Sequence, residues 1–466
     1  MVRSFFNLGS GFNFLRLVFL PFFLYLIFYF SRTIHLTSEY YFSFFSIVSV
    51  SLIGFFLARR FFDLSPVLLF FSVFIPYVAW AFSVQTIPES DYLIYYNDAV
   101  RFLDGNFFQV WTSSKYPSSS IVYAFGMKLL GVSYLAASIT AAACWALQAV
   151  VVRAIMLELG QSGKISTFIA FLYALFPSIF VYTAVVSSEA TYLLYIFISL
   201  FVFLRFVKTK SLFFLVFSAF FIGFAYYSRP TSVFLIFPFL VGVFLYSDRA
   251  IKSVICFLIP LFLVFSSHAL LNSAYQGFFS VNSNHGMGGY VLLFGTNKNH
   301  NGLYNTDDVG FVQDLRTSLG DEGKVGEAVK KEIYSRIFDD FPGFVKFSYK
   351  QKIKTLWVPS GGVFFWANNN PEHKVGQEYA SLSEKINSHL YYILLILFFI
   401  SLVIYFFKKR NKNNIREFLY FSACAYVFQM IVFYFVFEVQ SRYALSIMPF
   451  MLFAVSAILL SWRSDE

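Results

Sequence analysis

The chain has 466 residues, of which 58% are hydrophobic and 13% charged, and its formal net charge is +10. A soluble domain of this length has too little core to hide so much apolar surface, so the composition excludes that class and marks a polytopic membrane protein. The basic residues lie mostly in short segments between apolar runs, where they report topology rather than a nucleic-acid partner.

Apolar runs recur near residues 14–31, 40–58, 64–84, 132–152, 165–182, 190–206, 211–227, 231–247, 253–271, 389–407, 416–437 and 444–462. Most approach the roughly 20 residues that cross a bilayer, which predicts an all-α polytopic protein with about twelve transmembrane helices. The first run is too long for a signal peptide and lacks a small-residue cleavage site, so it is expected to be retained. The chain then divides into a transmembrane hairpin over 1–62, a transmembrane core over 63–271 with an external loop at 86–131, a large external loop domain over 272–388, and C-terminal transmembrane helices over 389–466. The 67 phenylalanines read as lipid-facing bulk. Cys144, Cys256 and Cys424 lie far apart inside apolar runs, which argues against a disulfide framework or a cysteine metal site.

Arg3, Arg16, Arg59, Arg60, Arg153, Lys164, Arg205, Lys208, Lys210, Arg249, Lys252, the stretch from Lys408 to Arg416, and Arg463 fall on one side if the spans alternate. The positive-inside rule makes that side cytoplasmic, with both termini inside and segments 86–131, 183–189, 272–388 and 438–443 outside. The outer side then collects Asp91, Glu189, Arg229 and Arg442.

The polar stretch from Pro88 through Glu89, Ser90, Asp91 and Tyr92 to Phe107 stands between apolar runs, where charge is costly unless it faces water or is held by partners. Tyr95, Tyr96, Ala99 and Leu103 follow at helical spacing, and Gly105-Asn106 stops them, which predicts a short amphipathic helix with Asp91 near its N-terminus. Asp91 thus reads either as a helix cap or as a catalytic acid or base, while Asp98 and Asp104 read as a solvated face. Glu189 reads as a plain outer-loop acid, and Arg229 and Arg442 as interfacial snorkels. Phe344, Phe347, Ile353, Leu356 and Trp357 alternate with Lys346, Lys350, Lys352 and Lys354, predicting an interfacial helix with its apolar face in the headgroup boundary. The preceding stretch, Glu322 to Arg336, reads as a solvated helix. His285, His300, His373, Asp307, Asp308 and Glu372 share the large loop without any metal-ligand spacing, and the glycines of 285–290 form neither GxGxxG nor a P-loop.

The order of these pieces carries a resemblance. The acidic loop, short helix and Tyr116-Pro117 are followed by Phe176-Pro177-Ser178, Ser187-Ser188-Glu189 with Tyr192, Ser228-Arg229-Pro230-Thr231, Tyr290 to Asn297, Tyr304-Asn305 with Asp307, Asp340-Phe341-Pro342, and Gln440-Ser441-Arg442-Tyr443. This succession resembles the GT-C superfamily of integral-membrane glycosyltransferases, including bacterial family-39-like enzymes and their protein mannosyltransferase and aminoarabinose transferase relatives. Two departures stand: Tyr92 follows Asp91 where many members carry a second acid, and two further spans precede the acid loop.

The resemblance implies a GT-C-like fold and an inverting enzyme of the bacterial cytoplasmic membrane, with its site facing outside. No nucleotide-sugar pool is expected there, so the implied donor is a polyprenyl-phosphate-linked sugar. The implied acceptor is an exported polysaccharide, teichoic acid, lipid or protein. By the family's motif Asp91 is the base, Glu189 and Tyr92 orient the acceptor, and Arg229, Arg442, Lys115 and Tyr443 receive the donor phosphate. No protein metal site is expected, although some relatives bind a divalent ion near the loop aspartate. The competing readings are an O-antigen-type polymerase and a lipid-linked oligosaccharide flippase. Transporters often carry internal repeats, and none is evident here.

Overall fold

Ser65 and Pro66 open the first helix of the computed structural model, which describes residues 63–114, 116–277, 279–281, 287–357, 362–373, 377–407 and 415–459. The Ser65 hydroxyl accepts the Leu68 N–H at 3.3 Å, and Pro66 occupies the first helical turn, where its missing N–H costs nothing. The resulting helix, α1 (Pro66–Val84), is followed by the short α2 (Asp91–Leu103) and α3 (Phe107–Ser113), then α4 (Pro117–Leu130) and α5 (Tyr134–Glu158). The expected hairpin over 1–62 lies outside the described residues.

α5 is the hub of this half. Ala137, Ala141, Ala142, Ala146 and Ala149 are fully buried, and their small side chains let α1, α4 and α8 (Ser188–Thr209) approach closely. The tightest approach is at Gly126 of α4, where an added Cβ would stand 1.8 Å from Thr140 Oγ1. Between α5 and α8 run α6 (Gly163–Ala174) and α7 (Pro177–Tyr182); Pro177 cannot continue the helix, so the apolar run expected over 165–182 is two pieces. α9 (Leu212–Tyr226), a 3₁₀ turn (Pro230–Leu235), α10 (Ile236–Tyr246) and α11 (Ala250–Gln276) complete the core.

Three helices beyond the core, α12 (Met287–Thr296), α13 (Thr306–Leu319) and α14 (Glu322–Phe338), share a small separate core of Leu293, Val312, Val325, Val329 and Ile333. α14 is therefore solvated on one face only. Asp308 of α13 is buried and accepts from Arg336 Nη2 at 2.8 Å, Asn305 Nδ2 at 2.9 Å and Asn297 Nδ2 at 3.1 Å. Burial opposes its ionisation, but those donors outweigh burial and hold the carboxyl below its usual range. The chain returns through α15 (Phe341–Phe347), a π-helical turn (Ser348–Lys352) and α16 (Ile353–Trp357) to α17 (Gly362–Ala367) and α18 (Gln377–Phe407). α19 (Ile415–Val436) and α20 (Ala444–Leu459) close the bundle.

Segment 342–357 departs from the expected interfacial helix. Phe344, Ile353, Leu356 and Trp357 are buried against protein, and Lys352 is buried with them. The π turn inserts an extra residue into the helical register and swings Lys352 inward, where Nζ donates to Gly295 O at 2.7 Å and Phe435 O at 3.1 Å. α12 crosses the end of α19 at Gly295, where a Cβ would stand 2.2 Å from Val436 O. The junction thus depends on a residue without a side chain.

The described residues form no strand. Among the described residues, seven helices are long and apolar enough to cross a membrane, and three shorter apolar helices occupy Gly163–Ala174, Leu212–Tyr226 and Pro230–Tyr246. Each apolar run expected after residue 62 coincides, over its described residues, with one helix or, at 165–182, two, as an all-α polytopic protein requires, while the count of twelve spans is not reached among the described residues.

Candidate functional site

The loop between α1 and α2 is held from a distance. Asn369 pairs with Ile87 through both ends of its amide, accepting the Ile87 N–H at 3.1 Å and donating to Ile87 O at 2.6 Å. Asn370 Nδ2 donates to Gln85 O at 2.7 Å, and Thr86 Oγ1 donates to Ala367 O at 3.2 Å. Ser90 then takes φ +53°, uncommon for a residue with a Cβ, and turns the chain so that Asp91 becomes the first residue of α2. Asp91 is not the cap, since that position belongs to Ser90.

Asp91 is partly exposed, and its Oδ2 faces Arg442 Nη2 at 3.8 Å. Arg442 belongs to a 3₁₀ turn (Ser441–Tyr443) between α19 and α20, and it also donates to the Tyr92 hydroxyl. Tyr92 is buried, its hydroxyl lies 2.8 Å from that of Tyr182, and its ring meets Trp366 edge-on at 5.0 Å. Burial pushes the Tyr92 phenol up to about 12, against the pull of Arg442, so it remains a neutral hydrogen-bonding group.

Two cations share one ring. Tyr443 has Arg442 at 5.7 Å and Arg229 at 4.9 Å from its ring centroid, and it stacks on Tyr434 at 4.8 Å. Arg229 closes an ion pair with Glu189, which lies in the first turn of α8, where a carboxylate is favoured. A chain of hydroxyls fixes the helices around this pair: Ser118 to Ser228 at 2.7 Å, Ser228 to Thr191 at 3.2 Å, and Thr191 to Ser119 at 2.7 Å. On the other flank, Glu438 N donates to Val291 O at 2.8 Å and Val439 N to Gly302 O at 3.1 Å. These bonds tie the Arg442 turn to the segment beyond the core.

Asp91, Tyr92, Glu189, Arg229, Arg442 and Tyr443, separated by up to 352 residues, thus form one connected group at one end of the bundle. The Arg442 Nε is buried without a hydrogen-bond partner among the described residues, so the guanidinium keeps a donor unspent there. Lys115 and His285 lie outside the described residues. Asp98 overturns its expected place on a solvated face: it is buried and pairs with Arg101 Nη1 at 3.1 Å, because that side of α2 packs on α4. Asp104 is exposed, as expected. His300 pairs with Asp307 at 2.8 Å, and no group of three His, Cys, Asp or Glu side chains able to hold a metal ion occurs among the described residues. Tyr182, Tyr434, Trp366 and the asparagines at 369 and 370 belong to the group but were not singled out from sequence. Only the asparagine run at 368–370 offered a signal.

Residues 114–270 match the family model of dolichyl-phosphate-mannose-protein mannosyltransferases. The resemblance read from the ordered motifs is borne out over that stretch, which contains Glu189, Arg229 and the hydroxyl chain, while Asp91 and Arg442 lie outside the match. No curated protein sequence matches the chain. Among solved structures, the crystal structure of ArnT from Cupriavidus metallidurans bound to undecaprenyl phosphate is 12% identical, with 84% of this chain and 76% of that chain covered and a TM-score of 0.36.

Proposed function

We propose that the protein is an inverting glycosyltransferase that moves one sugar from a polyprenyl-phosphate donor to an exported envelope acceptor at the outer face of the bacterial cytoplasmic membrane. The observation that carries this reading is the partly exposed Asp91 carboxylate beside the mostly buried Arg442 guanidinium. The match of residues 114–270 to a family named for dolichyl-phosphate-mannose supports a lipid-phosphate-linked donor.

In this mechanism the acceptor hydroxyl gives its proton to Asp91 while its oxygen attacks the anomeric carbon. The bond from that carbon to the phosphate oxygen breaks with its electron pair, and the lipid phosphate departs with one more negative charge. A carboxylate positioned as base contributes roughly 10²- to 10⁴-fold to such a step. Arg442 stabilises the charge growing on the leaving phosphate, a term larger in the transition state than in the ground state.

The two arginines have different roles. Arg229 is already neutralised by Glu189, so a phosphate there would compete with a buried carboxylate. Arg442 retains the buried Nε donor and a longer approach to Asp91, which makes it the phosphate ligand. Arg229 is then a positioning residue that holds the Tyr443 ring against Arg442, and Tyr92 orients Arg442 through its hydroxyl.

The test is the mass profile of envelope glycans from cells carrying the wild-type chain, no chain, or Asp91→Asn at matched abundance. The reading expects loss of the same single-sugar increment in both deficient strains. Collapse of long polymers to single repeat units would replace it with a polymerase, and full transfer by Asp91→Asn would remove Asp91 from the chemistry.

A further inference from the structure

An aromatic stripe runs along the exposed side of the helices beyond the core. Tyr334, Phe338 and Phe341 are 61%, 62% and 51% exposed, and they line up with ring centroids 5.9 and 6.2 Å apart and planes within 29° and 11°. Val345 continues the stripe one turn later. Their spacing of four, three and four residues keeps them on one side as the chain passes from α14 into α15. The opposite side of α14 is already used, because Val325, Val329 and Ile333 face the small core. Rings this exposed in a row have no packing role among the described residues beyond one another, and contiguous exposed apolar surface marks a contact site.

Position and charge identify what covers it. Phe344, one turn after Phe341, meets Phe435 edge-on at 6.4 Å at the end of the span Ile415–Val436. One turn of helix rises about 5 Å, so the stripe begins within a few ångströms of the level where that span leaves the bilayer. At the same end of the bundle Phe108 stacks on Tyr275 at 5.6 Å where the span Ala250–Tyr275 ends, as in the aromatic belts of membrane interfaces. Lys331, Lys346 and Lys350 are exposed on the same segments. Of the carboxylates at the bend, Asp340 is held by Lys298 at 2.9 Å and by the Gly343 N–H at 3.0 Å, and Asp339 accepts from Ser335.

We infer that the stripe Tyr334, Phe338, Phe341 and Val345, with its flanking lysines, seats the segment beyond the core on the lipid headgroups of the adjacent leaflet. The rings enter the headgroup boundary and the lysines meet lipid phosphates. This replaces the lipid contact expected of Phe344, Ile353, Leu356 and Trp357, which are spent on protein. It rests on the membrane-spanning helices alone and not on the proposed transferase activity.

The test uses the full chain in lipid nanodiscs, with Cys256→Ser removing the one native thiol that is not buried. A bimane label is placed at Phe338→Cys or, in a second variant, Phe341→Cys, and compared with one at Glu327→Cys, three turns before Phe338 on α14 and so about 16 Å farther from the bend. The inference expects lipids carrying a shallow doxyl group to quench the labels at 338 and 341 at least twofold more than the label at 327. Aqueous iodide should show the reverse order. Replacing Lys331, Lys346 and Lys350 by Gln should reduce the doxyl quenching in discs that contain anionic lipid. Equal iodide quenching at all three positions, with no doxyl effect, would overturn the inference and leave the stripe open to a soluble partner.

Discussion

Arg229 and Glu189 form an ion pair with side chains only 12% and 2% exposed. Such a pair is weak evidence for stability as a pair, yet each partner alone would be an uncompensated buried charge. Glu189→Gln is therefore expected to destabilise the protein by about 3–5 kcal/mol, whereas adding Arg229→Met should recover a large part of the loss. Thermal unfolding of the purified single and double variants checks this. Equal melting temperatures for wild type and Glu189→Gln would show that the pair carries no such cost.

Asp91 and Arg442 are separable by the kinetics of their variants. Asp91→Asn keeps shape and volume at a partly exposed position, so stability should hold while the transfer rate falls by roughly 10²- to 10⁴-fold. Arg442→Lys keeps the charge but loses the planar guanidinium that reaches both Asp91 and Tyr92, and it should lower kcat and kcat/KM together. A change confined to KM for the lipid donor would instead mean that Arg442 binds donor and transition state equally.

The Asn369 amide holds the loop that leads into Asp91 without touching Asp91 itself. Asn369→Ala removes two hydrogen bonds to the Ile87 backbone, at roughly 1 kcal/mol each in stability. Its larger expected effect is on rate, because a base displaced by about 1 Å loses on the order of 10²-fold. Comparing the melting temperature with kcat separates the two: a rate loss no larger than the stability loss implies would assign Asn369 to structure alone.

The fold was legible in the sequence wherever length and apolarity decide it, as in α5 or α11, and less so where a single residue interrupts a run. Pro177 divides one expected span, and the Ser228-Arg229-Pro230 corner shortens the helices on either side. Asp91, Glu189, Arg229 and Arg442 could be named because charged residues at the ends of apolar runs are costly and few, while Tyr92 and Tyr443 followed only from the family resemblance. Their partners could not. Tyr182 and Trp366 reach Tyr92 from 90 and more residues away, and no periodicity records such a contact. Asp98 and Lys352 were assigned to the wrong surface for a related reason. Helical spacing gives a face, but the packing of α2 on α4 and the π turn at Ser348–Lys352 decide which face is buried.

Lys352 gives the junction a pH dependence of definite sign. Burial pushes its ammonium down to about 7 from an ordinary 10.5, against the pull of Glu438. Between those two values the unfolded chain binds the proton and the folded chain has released it, so this group makes stability rise as pH increases from about 7 toward 10.5. Below pH 7 both states are protonated and its contribution is flat. Lys352→Met leaves Gly295 O and Phe435 O without their donor and should unfold more easily, so the informative quantity is the slope rather than the level. Unfolding measured from pH 6.5 to 9.5 should show a wild-type increase that the Met variant lacks. Parallel curves for the two proteins would mean that the two carbonyls keep Lys352 charged throughout.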